Sequence, residues 1–178
     1  MARTMTVRPA LGLYQRAPEF TLPSGDGRRI SLRDFRQRRN LVLLLLHEPS
    51  CRACQAALRE FASRLSDYRA AEAEIVAIVP GPVDRARQLA GSIGSPFPVL
   101  ADETGEVFQR YTGRRPGEPG APVASLFILD RFGQVYSQSL VQKESQLPSQ
   151  QEVLDTLQFV EIQCPECGVA EWQWQRAM

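Results

Sequence analysis

Leu41-Val42-Leu43-Leu44-Leu45-Leu46-His47-Glu48-Pro49-Ser50-Cys51-Arg52-Ala53-Cys54 is the stretch on which the fold is read. Its first six residues are apolar without alternation, the pattern of a strand covered on both faces of a parallel sheet. The run is far shorter than the roughly 20 residues that a membrane-spanning helix needs. Pro49 and Ser50 break the strand, and Ser50 is placed to cap a helix. Beyond it Cys54, Leu58, Phe61, Leu65 and Tyr68 recur at spacings of four and three, which makes one buried helical stripe. A wholly apolar strand running into an amphipathic helix is the first half of a β-α-β unit.

The rest of the chain completes it. Glu74 to Val79 reads as the next strand and Pro82 to Ile93 as the next helix, with Pro82 near its first turn. Phe97 to Leu100 reads as a short strand and Thr104 to Tyr111 as a short helix. Gly113 to Pro122 holds three Gly and three Pro and is a loop. Ser125 to Leu129 and Gln134 to Leu140 form a hairpin around Asp130-Arg131-Phe132-Gly133, and Ser149 to Ile162 is a last helix. Upstream, Ala17 to Pro23 and Arg28 to Leu32 flank the turn Ser24-Gly25-Asp26-Gly27 as a small hairpin. The expected architecture is α/β: a mixed central sheet, helices on both faces and an N-terminal β-hairpin extension. The chain divides into a lead-in, 1–12, a domain, 13–162, and a C-terminal tail, 163–178.

Bulk composition excludes several classes of function. At 178 residues the chain suits one domain with a sizeable core. A net charge of +1 gives no field of one sign toward nucleic acid or an anionic membrane, so neither is expected as a partner. No GxGxxG or Walker motif and no GxSxG elbow is present, and no organic cofactor is expected. No apolar segment follows Met1 to Arg8, so a cytoplasmic location is expected. A reducing compartment keeps thiols reduced, and cysteine pairs there are usually catalytic or metal-binding.

Cys51 and Cys54 sit where a buried strand becomes a helix. The first turn of a helix has unpaired N–H groups and the positive end of the macrodipole, and both favour a thiolate at Cys51. Arg52 adds positive charge nearby. Cys54 lies one turn later and opens the buried stripe, so it is expected to be shielded. An accessible attacking thiol and a shielded resolving thiol are what dithiol exchange requires. His47, the only imidazole in the chain, is a candidate to tune or deprotonate Cys51, or simply a polar residue at the mouth of the site. Asp102 and Asp130 read best as turn residues.

At these residues the sequence resembles the peroxiredoxin-like family, also called the alkyl hydroperoxide reductase and thiol-specific antioxidant family. Ala17-Pro18-Glu19-Phe20-Thr21-Leu22 is similar to its opening segment, and Gly27 to Phe35 to the next. Leu41 to Cys54 is similar to its strand and active-site turn, Phe97 to Asp102 to its FPxLxD segment, and Ser125 to Gly133 to its FxID segment. The resemblance implies a thioredoxin-like fold and antioxidant thiol chemistry. Cys51 would be the nucleophile toward a disulfide or a small hydroperoxide, and Cys54 would close an internal disulfide. A thioredoxin-like reductant would restore the pair, with a protein disulfide as the other partner class.

Two positions depart from the family pattern. Glu48 stands where peroxidatic sites carry Thr, and Ala124 where they carry Arg. The CxxC itself resembles the thiol-disulfide oxidoreductases, whose cis-Pro is also replaced by Ala124, with Pro122 two residues earlier. The Glu48 carboxylate would oppose a thiolate at Cys51.

Cys164-Pro165-Glu166-Cys167-Gly168 has the shape of a metal knuckle but supplies two of the usual four ligands. It could share a metal across a homodimer, join Cys51 and Cys54 on one metal, act as a redox relay to them, or be inert. The rival to an enzyme is thus a zinc-binding structural or interaction protein that uses its CxxC pairs as ligands. Trp172 and Trp174 are expected to cover an apolar surface.

Overall fold

The computed structural model describes residues 9–162. The apolar run becomes β3 (Asn40–Leu46), every residue of which is buried. Burial on both faces follows from its partners. β4 (Ala73–Pro80) pairs parallel on one edge and β6 (Ala124–Leu129) antiparallel on the other, so that Leu43 faces Val76 and Phe127 in register. β5 (Val99–Asp102) extends the parallel side and β7 (Val135–Val141) the antiparallel side, in the order β5-β4-β3-β6-β7. β1 (Thr21–Pro23) and β2 (Arg29–Ser31) form the expected N-terminal hairpin. An isolated bridge from Ser24 to Leu100 ties it to β5.

Alternation along β3 sorts the helices into two layers. Val42, Leu44 and Leu46 meet α1 (Arg52–Ser63), α2 (Leu65–Ala70), α3 (Val83–Ile93) and α5 (Gln150–Ile162). Leu41, Leu43 and Leu45 meet α4 (Glu106–Thr112), Phe20 and Ile30. The expectation of a mixed sheet with helices on both faces holds.

Local differences have physical reasons. The stripe from Cys54 to Tyr68 lies on two helices, with a break at Arg64 (φ −112°, ψ 17°). A strict repeat of seven drifts by roughly 20° per heptad around a straight α-helix. The break resets that phase, and Leu65 and Tyr68 stay against the sheet. The cap of α1 is Cys51 rather than Ser50, because the Cys51 sulfur itself accepts the Cys54 N–H. β5 begins at Val99 rather than Phe97, since the Phe97 N–H goes to Ser95 Oγ at 3.4 Å and Pro98 has no N–H to give. Among the described residues no helix is long and apolar enough to cross a membrane.

Leu44 lies between Ala77 and Leu126 and is 1% exposed. Truncation there leaves a cavity that a strand paired on both edges cannot close. Leu44→Ala is expected to lower stability by about 2–5 kcal/mol in urea denaturation. A loss under about 1 kcal/mol would contradict this packing.

Candidate active site

β3 ends at Leu46, and the chain crosses the carboxyl edge of the parallel strands before entering α1. That edge is where open α/β sheets place their ligand sites. The His47 N–H donates to the Val123 carbonyl at 3.0 Å, which extends the β3–β6 pairing by one step and anchors the turn. Gln55 Nε2 donates to the Pro49 carbonyl at 2.9 Å and fixes its far side.

Cys51 is half-buried at the N-cap of α1. Its Sγ accepts the Cys54 N–H at 3.2 Å, and its carbonyl accepts the Gln55 N–H at 2.9 Å as the first helical bond. Cys54 is fully buried, as the stripe implied. Burial is the main force that pushes the Cys54 thiol well above the ordinary thiol range. The hydrogen bond and charge of Cys51, and then the carboxylates of Glu144 and Glu48, act in the same direction. Both cysteines are free thiols.

His47 completes the cluster. Its Nδ1 lies 2.8 Å from the Val123 carbonyl, which can only accept, so Nδ1 carries the proton of the neutral ring. The same nitrogen lies 3.9 Å from Cys54 Sγ, and Nε2 lies 3.4 Å from Glu48 Oε1. His47 stands one residue beyond the end of β3, where strand alternation no longer governs it, and its ring reaches Cys54. Ligand atoms of His47, Cys51 and Cys54 all fall within 4.8 Å of one another.

The other sequence candidates separate from this cluster. Glu48 is exposed and meets it through His47. Arg52 is exposed, and its side chain holds no hydrogen bond or ion pair among the described residues. Cys164 and Cys167 lie outside the described residues. Asp130 is a turn residue as expected, whereas Asp102 is the buried last residue of β5, where the chain leaves the strand. The Asp102 carboxylate accepts the Phe108 N–H at 2.8 Å, and Asp130 Oδ1 accepts N–H groups from Phe132 at 2.9 Å and Gln134 at 2.8 Å.

Sequence reading missed Val123 and Glu144. Val123 contributes only its backbone, and Glu144 acts only through charge, so neither leaves a motif. Beside the turn, Pro49, Ser50, Gln55, Arg85, Gln88 and Ser92 line a groove of about 370 Å³. Ala124 pairs with Leu46 in the sheet, and no described peptide bond is cis.

Comparison with known proteins agrees with this arrangement. The AhpC/TSA family profile matches residues 13–138. A Mycobacterium tuberculosis protein provisionally named a peroxiredoxin is 31% identical over 111 residues, 62% of this chain and 68% of its own. Alkyl hydroperoxide reductase E of Mycobacterium bovis is 29% identical over 119 residues, 66% of this chain and 77% of its own. The crystal structure of peroxidoxin BcpB from Mycobacterium tuberculosis superposes with a TM-score of 0.71 at 20% identity, covering 85% of this chain and 98% of the other. With a matching profile over most of its length, a thioredoxin-like sheet and two adjacent free thiols at the sheet's carboxyl edge, the chain belongs to the AhpC/TSA family of thiol-based oxidoreductases.

Proposed function

We propose that the domain at 13–162 reduces hydroperoxides with Cys51 as nucleophile and Cys54 as resolving thiol, and that a thioredoxin-like dithiol restores it. The observation that carries this reading is the pairing of a half-buried Cys51, whose sulfur accepts the Cys54 N–H, with a fully buried Cys54 beneath it. An anionic sulfur accepts that N–H better than a thiol does. The Cys51 thiolate attacks the outer peroxide oxygen, the O–O bond breaks, and the alkoxide leaves with a proton as the alcohol. Cys51 becomes a sulfenic acid. The Cys54 sulfur then attacks the Cys51 sulfur, water leaves, and an internal disulfide forms. A dithiol reductant returns both sulfurs to thiols and is itself oxidised.

His47 supports the second step in this scheme. The Nδ1–H is donated to the Val123 carbonyl at 2.8 Å, and the positive end of that N–H dipole, 3.9 Å from the Cys54 sulfur, favours the Cys54 thiolate at the moment of attack. Glu48 and Glu144 oppose that thiolate, so His47 is the local counterweight.

A second reading is disulfide exchange at the same sulfurs. Here the Cys51 thiolate breaks a substrate disulfide, one substrate thiolate leaves, and Cys54 displaces the other. Glu48 and Ala124 favour it, because neither offers the hydroxyl or guanidinium that would hold peroxide oxygens. Stopped-flow rates with hydrogen peroxide and with a model disulfide separate the two, and a higher second-order rate with the disulfide would favour the second.

Cys51→Ser is expected to abolish thiol-dependent turnover of either substrate, measured as peroxide consumption and disulfide reduction. Full activity of that variant would refute the assignment. Cys54→Ser should leave a Cys51 sulfenic acid or mixed disulfide detectable by mass.

The pH dependence has a definite sign. The raised Cys54 thiol stays protonated in the neutral range, and only its thiolate attacks. Disulfide closure in single-turnover experiments should therefore quicken steadily from pH 6 to 9, at roughly tenfold per unit. His47→Ala should slow closure by about tenfold or more. A plateau below pH 8, or closure unaffected by loss of the imidazole, would contradict this account.

A further inference from the structure

The same imidazole that faces Cys54 in the redox scheme stands close to both thiols. We infer that the reduced site is also a metal site: His47, Cys51 and Cys54 together bind one Zn²⁺ with an open fourth position. Their ligand atoms lie within 4.8 Å of one another. Zinc bonds to sulfur at about 2.3 Å and to nitrogen at about 2.0–2.1 Å, so ligand atoms on one tetrahedral ion lie roughly 3.6–3.8 Å apart. The 3.9 Å between His47 Nδ1 and Cys54 Sγ is close to that spacing, and the cluster as a whole reaches it by side-chain closure of at most about 1 Å.

The surroundings suit the ion. Nδ1 would exchange its proton for the metal, and the Val123 carbonyl would keep the His47 backbone N–H at 3.0 Å, so it is not left without a donor. Nε2 would then carry the ring proton toward Glu48 Oε1, now 3.4 Å away. A carboxylate behind a ligating histidine fixes its tautomer and strengthens it as a ligand. The buried side of the site is closed by Cys54, and the half-buried Cys51 leaves the fourth position facing outward. Two thiols, one imidazole and one open position is the ligand count of a catalytic or exchangeable zinc rather than a closed structural one.

Binding converts both thiols to thiolates and releases two protons. Oxidation reverses it: the two thiolates give up two electrons to form the disulfide, a hydroperoxide takes those electrons with two protons to become an alcohol and water, and Zn²⁺ leaves. The metal therefore guards the dithiol, and a hydroperoxide discharges it.

The test uses the full chain, stripped with chelator and kept reduced by a phosphine, with a Cys164→Ser/Cys167→Ser variant to remove the tail thiols. Zn²⁺ is titrated against a chromophoric indicator, and Co²⁺ is used for its thiolate charge-transfer bands. The tail variant should take up about one ion per chain. Cys51→Ser and Cys54→Ser should lose it. His47→Ala and His47→Gln, each checked for native circular dichroism, should bind at least about tenfold more weakly. Hydrogen peroxide should release the zinc in step with disulfide formation. No uptake by the tail variant, or equal affinity without His47, would overturn the inference. The outcome is separable from the redox reading. A chain that turns over but takes no zinc fails here alone, while a metal-free chain that binds zinc but turns over neither substrate fails only there.

Discussion

The site depends on β3 being paired along both edges and covered on both faces. A strand so enclosed has no freedom to slide, since a one-residue slip would invert every side chain against two packed layers. Its carboxyl end is therefore a fixed point. From there the His47 N–H bond to Val123 and the Gln55 side-chain bond to Pro49 leave the five-residue crossing little room before α1 begins. The start of α1 is thereby set against the sheet. Cys51 occupies the last position before the helix, and Cys54 is turned into the core beside Leu58 and Phe61.

The chemistry follows from that difference in depth. Two identical thiols, three residues apart, receive opposite environments. Cys51 has a backbone N–H aimed at its sulfur and access to solvent, while Cys54 has neither water nor a backbone donor and feels Glu48 and Glu144. Desolvation outweighs the other influences on Cys54 and favours its neutral thiol, which in the proposed scheme acts only after Cys51 has reacted. In the proposed scheme His47 relieves that bias, and its orientation is set by the Val123 carbonyl, just before β6 and 76 residues away.

Much of this was legible in the sequence because it is local. Six consecutive apolar residues before a CxxC identify the central strand and its turn, and the stripe from Cys54 to Tyr68 identifies which cysteine is buried. What was not legible is non-local or a matter of competition between neighbours. Ser50 is the better capping side chain by type, yet Cys51 takes the position, its sulfur accepting the Cys54 N–H at 3.2 Å. The break at Arg64 is invisible to periodicity, since it preserves the pattern that periodicity reads. His47 was paired with Cys51 by sequence distance, whereas its close sulfur contact is to Cys54. No spacing rule could find Val123, which acts through a backbone carbonyl.

The central claim is that the fold makes one thiol of the pair accessible and reactive and withholds the other. Site-resolved alkylation of the reduced, metal-free chain measures this directly, with limiting iodoacetamide and peptide mass analysis over time. Cys51 should be labelled faster than Cys54 by a factor on the order of 100. Equal rates at the two sulfurs, or earlier labelling of Cys54, would contradict the account.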